Sequence, residues 1–161
     1  MVIGACYMIL RQSYEKIGGF SPFFRIWGKL EQDISSRAWI VGLGVKCVTG
    51  ARVGHFSRPK FPYPVKWEDI EFNQLVMVRT VFQEPAAKAF EELLRPLPRE
   101  VETWIAQANF CEFRRIIESG RQMSDAEFFR RFVQDAPECL IGENGPSSSQ
   151  AVPPLALPRT V

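Results

Sequence analysis

The chain has 161 residues, of which 46% are apolar and 24% are charged, and its formal net charge is +2. This length suits one ordinary domain, and the apolar fraction can fill a core, so global disorder is not expected. A charge this close to zero argues against a dedicated nucleic-acid binder, and no apolar run is long enough to span a bilayer. The start, MVIGACYMIL, lacks the basic segment of a secretory signal, so we expect a cytoplasmic protein.

The charged residues are unevenly distributed along the chain. Residues 1–83 hold 11 Lys and Arg against 6 Asp and Glu, whereas residues 84–161 hold 9 against 12. The basic first part could bind an anionic ligand, although an ordinary solvated surface is enough to account for the charge alone.

The cysteines are widely spaced, so we interpret them as free and mostly buried thiols in a reducing compartment. They are Cys6, Cys47, Cys111 and Cys139.

The first part of the chain predicts a mixture of strands and helices. The short apolar run Ala5–Leu10 predicts a buried strand, and Gln12–Ile17 predicts a short helix that glycines end. Apolar residues near helical spacing predict a second helix over Gln32–Val41. The β-branched Val45–Thr49 and the following Arg52–Phe56 predict two further extended segments.

The later part predicts helices. Three prolines interrupt regular structure after residue 58, and a helix is then expected from about Trp67 to Phe82. Residues 84–140 gain Glu, Ala, Arg and Phe, which favours a helical extension. Ser124 and Glu127 have the spacing of a capping box. Residues 141–161, rich in Pro and Ser, predict a disordered tail.

Several residues of the first part could carry chemistry. Glu31 and Asp33 lie at the start of the second helix, where they are either capping acids or candidates for a general base. His55 is the chain's one histidine, and it is either structural or a metal ligand. Arg58 and Tyr63 follow it closely, a grouping that could grip a diphosphate.

Four ordered motifs sharpen these alternatives. They are, in chain order, GAC (4–6), YEKIGGF (14–20), WGKLEQDISSRAW (27–39) and ARVGHFSR (51–58), and none of them is interrupted by an insertion. Together they resemble the C-terminal half of GT-A glycosyltransferases of the family 2 / galactosyltransferase type, including polypeptide N-acetylgalactosaminyltransferases and β-1,4-galactosyltransferases. The resemblance covers about half of the chain. It implies an α/β fold, namely a partial GT-A domain with short mixed-sheet strands over residues 1–83.

The resemblance also implies a role for each site residue. His55 would complete the coordination of Mn²⁺ or Mg²⁺ on a nucleotide-sugar diphosphate, with Arg58 and Tyr63 on a loop that closes over the diphosphate. Trp27 and Gly28 would belong to a loop that responds to the donor.

Two acidic positions complete the implied site. Glu31 would be the general base of an inverting transfer, and Asp33 a second acidic residue on the acceptor side.

Departures from the family pattern limit what the chain could do alone. Lys29 and Leu30 replace a glycine and a glutamate, and Ser21 replaces an aspartate. The donor-binding half with its Asp-x-Asp or Asp-x-His motif does not occur in this sequence. One imidazole cannot hold a hard cation without oxygen ligands, so we expect a missing upstream half, a partner chain or a second copy to complete the site and cover the half-sheet.

The predicted function is therefore partial glycosyl transfer. The expected donor is a UDP-sugar, and the acceptor would be a hydroxyl of a glycan, a lipid or a protein, with no nucleic acid involved. The alternative is a non-catalytic, degenerate domain that acts through protein–protein contacts, with the helical stripes of residues 86–133 as its surface.

Overall fold

The computed structural model describes residues 6–56 and 59–141, and in this part of the chain it contains eight α-helices and no β-strand. The helices are α1 Arg11–Lys16, α2 Leu30–Ile40, α3 Trp67–Val81, α4 Glu84–Leu93, α5 Arg99–Gln107, α6 Cys111–Gly120, α7 Asp125–Phe132 and α8 Glu138–Ile141. The helices predicted near residues 12, 32 and 67 are confirmed, with ends that differ by one or two residues.

The predicted α/β fold, a partial GT-A domain with short mixed-sheet strands, is wrong for the described residues. The segments Val45–Thr49 and Arg52–Phe56, and the described part of Ala5–Leu10, form no strand. A β-turn joins the first two, because Ala51 N–H donates to Val48 O at 3.1 Å, but no ladder follows. Side chains are exposed here, 70% for Val48 and 87% for Phe56.

The physical reason lies in what a strand requires. Extended, β-branched sequence favours the right backbone shape, but a strand is stabilised by hydrogen bonds and side-chain contacts from a neighbouring strand. The described residues supply no such neighbour. The half-sheet that a partner was expected to cover is therefore absent from the described part of the molecule.

The helices enclose an apolar core in which α3 is central. One face of α3 contributes Val78 and Val81 to a cluster that also holds Ile34 of α2, Ile117 of α6 and Phe129 of α7. Another part of α3 joins a second cluster with α5, formed by Phe72, Leu75, Val76, Val101, Ile105 and Phe110. The first part of the chain and its helical extension therefore share one core.

Local signals in the helical part behave as the sequence predicts. Ser124 Oγ accepts the backbone N–H of Glu127 at 3.2 Å, so the predicted cap of α7 is confirmed. Pro85 lies in the first turn of α4. No helix among the described residues is long and apolar enough to cross a membrane. The part of the predicted disordered tail from residue 142 onward lies outside the described residues.

The cysteines correct another expectation. All four thiols are free, as expected, but all four residues are exposed rather than mostly buried. Cys6 and Cys47 lie in loops, Cys111 begins α6, and Cys139 lies on the short α8. On α6 the buried positions are Phe113 and Ile117 rather than Cys111.

Candidate functional site

An open groove of about 330 Å³ lies between the loop after α1 and the first turn of α2. Three residues predicted from the sequence line this groove: Trp27, Gly28 and Glu31. The full lining is Phe20, Ser21, Phe24, Arg25, Ile26, Trp27, Gly28, Leu30 and Glu31. The structure therefore brings the WG turn and the predicted base to one concave surface.

The turn that enters α2 has a left-handed backbone. Gly28 has φ +99° and the following Lys29 has φ +69°. A Cβ atom on Gly28 would lie 3.2 Å from Cγ1 of Ile70, which is tighter than an ordinary contact. Glycine is thus needed at residue 28 both for its backbone conformation and for the close approach of α3.

Asn73, a fully buried residue of α3, holds this turn. Its Oδ1 accepts the backbone N–H of Arg25 at 2.8 Å. Its Nδ2 shares two hydrogens among three carbonyl oxygens, those of Arg25 at 3.0 Å and of Trp27 and Gly28 at 3.1 Å each. Four backbone polar atoms of the groove wall are therefore bonded to one side chain from a different element.

Arg25 connects the same wall to the helical extension. Its guanidinium lies 3.6 Å from the ring centroid of Trp104 on α5 and 4.9 Å from that of Phe72 on α3. Its Nη1 is 3.5 Å from Oδ1 of the buried Asp69. A cation between two rings and a carboxylate is strongly restrained, so α3 and α5 together fix this groove residue.

Asp33 has a different environment from the acceptor-side residue that the resemblance implies. It is fully buried and does not line the groove. Its Oδ2 accepts from Nε of Arg37 at 3.1 Å and also from Nη2 of the same side chain. Burial raises the pKa of Asp33, and the charge and hydrogen bonds of Arg37 oppose that rise. Since its bonds go to Arg37, Asp33 is not a capping acid of α2.

Arg37 in turn holds the other groove wall. Its Nη1 donates to the carbonyl oxygens of Ile17 and Gly19, the latter at 2.6 Å. These two residues flank Gly18, where the chain leaves α1 with φ +77°. Phe20, which follows directly, lines the groove. Each wall of the groove is thus fixed by a buried polar side chain.

Glu31 is half-buried in the first turn of α2, and its negative charge acts on the hydroxyl group of Tyr7. Burial raises the pKa of Tyr7, and the negative charge of Glu31 raises it further. Tyr7 itself packs against the apolar core. Glu31 is the acidic residue among those that line the groove.

The remaining predicted site residues come from the segment after residue 50. Phe61 links Tyr63 to the groove, because its ring centroid is 6.0 Å from that of Tyr63 and 5.2 Å from that of Trp27. His55 lies exposed and does not line the groove, and Arg58 lies outside the described residues.

The described residues do not form a metal site by themselves. They contain no group of three His, Cys, Asp or Glu side chains that could hold an ion. Mn²⁺ and Mg²⁺ require several oxygen ligands, and the exposed His55 has no carboxylate cluster around it that would supply them. The predicted metal does not fit this part of the chain alone.

Comparison with known proteins shows which class of protein the first residues of the chain are similar to. Residues 1–60 match the family model described as the N-terminal domain of galactosyltransferase. Together with the relatives below, this match confirms the resemblance: residues 1–60 are similar to galactosyltransferase-type glycosyltransferases.

The similar curated proteins are polypeptide N-acetylgalactosaminyltransferases. Polypeptide N-acetylgalactosaminyltransferase 10 of Homo sapiens is 31% identical over 65 residues, which are 40% of this chain and 11% of that protein. Polypeptide N-acetylgalactosaminyltransferase 5 of Caenorhabditis elegans is 34% identical over 64 residues, 40% of this chain and 10% of that protein. The chain thus spans about a tenth of the length of these curated relatives. No solved structure matches.

Sequence reasoning missed the residues that support the groove. Asn73, Arg37 and Arg25 were not among the predicted site residues. A signal did exist for Asn73, because it is a polar residue between the apolar Phe72 and the apolar run Leu75–Val78 of a predicted helix. A buried amide needs partners, and those partners lie in a loop that is distant in sequence.

Proposed function

We propose that this chain is the acceptor-side part of a glycosyltransferase that moves a sugar from a nucleotide diphosphate to an acceptor hydroxyl. The observation that carries the proposal is that Trp27, Gly28 and Glu31 line one groove within the matched segment. The expected donor is a UDP-sugar, and the expected acceptor is a glycan, a lipid or a protein. The names of the relatives favour N-acetylgalactosamine as the sugar and a polypeptide as the acceptor.

Glu31 is the proposed general base. Its half-buried position beside an open groove allows a carboxylate to reach an acceptor hydroxyl. In the proposed step, Glu31 takes the hydroxyl proton while the acceptor oxygen forms a bond to the anomeric carbon. The bond from that carbon to the diphosphate breaks, and the nucleoside diphosphate leaves with the electron pair. Attack from the face opposite the leaving group inverts the anomeric configuration.

Tyr63, Arg58 and Trp27 are proposed to enclose the diphosphate. The ring contacts that run from Trp27 through Phe61 to Tyr63 support this grouping, because they connect the segment after His55 to the groove. Asp33, in contrast, is proposed to act by holding Arg37, since its carboxylate is buried and paired.

A divalent cation is proposed as the cofactor of the complete enzyme only. His55 would supply one ligand, and carboxylate ligands would have to come from outside the described residues, because these contain no suitable cluster. The bound ion would neutralise diphosphate charge.

The sharpest test joins the upstream part of a relative's catalytic domain to this chain. We expect this chimera to bind UDP with Mn²⁺ in calorimetry and to transfer sugar from a UDP-sugar. E31Q should lower turnover by about 100-fold or more without weakening UDP binding, because general-base catalysis contributes about that much. E100Q, at an exposed carboxylate of α5, is the matched control. Full turnover in E31Q would refute the proposed base.

His55 has its own readout in the same chimera. H55A should abolish the part of UDP binding that depends on Mn²⁺, and leave UDP binding in chelator unchanged. Metal-dependent binding that survives H55A would remove His55 from the cofactor site.

A non-catalytic, protein-binding domain is the second candidate. Exposed apolar side chains favour it, among them Val53, Phe56 and Trp67. The surface differs from the one expected, because the helical stripes are largely internal: Val101, Ile105, Phe113 and Ile117 are all buried. Light scattering, which measures the oligomeric state, and binding of a hydrophobic dye, which reports exposed apolar surface, distinguish the two candidates. A monomer that binds no dye would contradict the protein-binding domain.

A further inference from the structure

Asn73 is placed to control the shape of the groove from inside the core. It lies on α3 between Phe72, Leu75 and Val76, which belong to an apolar cluster. Its exposed fraction is 0%. Nevertheless its side chain bonds to four backbone atoms of residues 25–28, and the two hydrogens of Nδ2 are shared among three of them.

The hydrogen-bond chemistry of the loop restricts the side chain at this position. One acceptor is needed for the N–H of Arg25, and N–H donors are needed for the carbonyls of Arg25, Trp27 and Gly28, which share the two hydrogens of Nδ2. An amide supplies both kinds of group, whereas an apolar side chain supplies neither and a carboxylate supplies acceptors only. Buried backbone groups left without partners are costly, so the loop would move to find water.

We propose that Asn73 is a positioning residue that sets the conformation of the Arg25–Gly28 loop, and with it the orientation of Trp27 over the groove. The importance of this loop for catalysis rests on the proposed function; its conformation does not. Trp27 is 44% exposed, so apolar burial restrains it only in part and its backbone bonds to Asn73 matter correspondingly more.

The restraint extends to the helical extension. Arg25, whose N–H and carbonyl both bind Asn73, lies over the ring of Trp104 on α5 and beside Asp69 on α3. The loop is therefore fixed at its main chain by α3 and at one side chain by α3 and α5 together. This arrangement gives part of residues 84–140 a role at the groove that the sequence does not reveal.

The test observes Trp27 directly in the full chain without any ligand. The protein is produced with 5-fluorotryptophan, and the four tryptophan signals in its ¹⁹F NMR spectrum are assigned by single Trp→Phe variants. N73D keeps the size of the side chain but replaces the donor nitrogen with an acceptor oxygen. We expect N73D to shift or broaden the Trp27 signal and to leave the signal of Trp39 in place, since Trp39 packs on Phe132 instead.

T80V is the matched control on the same helix. Thr80 is 1% exposed, and its hydroxyl donates to Val76 O at 2.7 Å without touching the loop. T80V should lower stability and leave the Trp27 signal unchanged. An unchanged Trp27 signal in folded N73D would overturn the proposal, as would an equal shift in T80V.

A measurement on the unaltered chain covers the case in which N73D does not fold. The amide proton of Arg25 is held by Asn73 Oδ1, so its hydrogen exchange should be at least tenfold slower than in an unstructured peptide. Exchange at the unprotected rate would overturn the proposal.

The catalytic consequence is measured separately in the chimera. A loop displacement of about 1 Å can cost about 100-fold in rate, and N73D should lower turnover by that order. A chimera without transferase activity would refute the proposed function and leave the NMR result standing. Conversely, an active N73D chimera with an unmoved Trp27 signal would refute the positioning role alone.

Discussion

For this comparison the first part is residues 6–56 and 59–66, the second part is residues 67–141, and the two are stabilised by different interactions. In the first part the backbone turns at the five described glycines of positive φ, and most of the exposed large apolar side chains lie here. In the second part successive helices supply most of the two apolar clusters, to which α2 of the first part adds Ile34 and Ile40. The groove forms in the first part, where the loop backbone cannot satisfy its own hydrogen bonds and depends on the buried side chains of Arg37 and Asn73.

This difference teaches how a groove can be rigid without regular structure around it. Loops have little apolar contact of their own, so their conformation is restrained by a few hydrogen bonds of high individual importance. A helical core distributes the same task over many weak contacts. Single substitutions should therefore have concentrated effects in the first part and graded effects in the second.

Removing Arg37 should have the largest effect. R37M leaves the carboxylate of Asp33 buried without its partner, and leaves the carbonyls of Ile17 and Gly19 without a donor. Breaking a buried pair in this way costs about 3–5 kcal/mol, which we expect to see as a lower urea midpoint. R115M is the matched control, because the side chain of Arg115 is 80% exposed. A loss below about 1 kcal/mol in R37M would contradict the restraint by concentrated bonds.

The same contrast explains what the sequence could predict. The helix from Trp67 and the cap at Ser124 depend on local signals, and both are confirmed. The strands at Val45–Thr49 and Arg52–Phe56 depend on a neighbour that composition cannot supply, and they are wrong for the described residues. Local sequence therefore fixed the helical part better than the loop-rich part.

The groove was predictable in part, for a related reason. The resemblance identified Trp27, Gly28 and Glu31 before the structure brought them to one groove. Asn73 was not predictable from spacing, since its partners lie 45 to 48 residues away in the chain. Contacts of that separation follow from tertiary packing rather than from any local pattern.

A second prediction sharpens the comparison within the helical part, where Arg121 joins two carboxylates. Its Nη1 is 2.8 Å from Oδ1 of Asp125, and its Nη2 is 2.7 Å from Oε1 of Glu118. Burial raises the pKa of Asp125. Burial also raises the pKa of Glu118, but the hydrogen bonds from Arg121 and Gln83 and the charge of Arg121 lower it by more, so the pKa of Glu118 is lowered overall. The two groups should give opposite pH dependence of stability.

The signs follow from proton binding in the folded and unfolded states. For Asp125 the folded state holds its proton more tightly, so its contribution falls as pH rises above the unfolded pKa of about 3.9. For Glu118 the unfolded state holds the proton more tightly, so its contribution is present above about pH 4.3 and is lost as pH falls towards the folded pKa. The unfolding free energies of the unaltered chain, D125N and E118Q are measured across this pH range. The difference between the unaltered chain and each variant, plotted against pH, gives the contribution of each carboxylate.

The magnitude at neutral pH is intermediate. D125N replaces a charged acceptor of Arg121 and of the Gln83 backbone N–H, which is 2.7 Å from Oδ2. Losing a bond of this charged kind costs about 1.5–3 kcal/mol. Equal slopes in D125N and E118Q would show that Arg121 does not distinguish the two carboxylates.

The smallest expected effect comes from the apolar core itself. Ile117 on α6 is 0% exposed and belongs to the cluster that joins α2, α3 and α7. I117V removes one methylene from a site with many neighbours, and this should cost about 0.5–1.5 kcal/mol. Its neighbour Ile116 is 37% exposed, so I116V makes the same change on the same helix largely outside the core and should lie within about 0.5 kcal/mol of the unaltered chain. Urea unfolding measures the free energy of unfolding of I117V, I116V and R37M on one scale. If I117V lost as much unfolding free energy as R37M, the distinction between concentrated polar restraint in the loops and distributed apolar packing in the helices would be wrong.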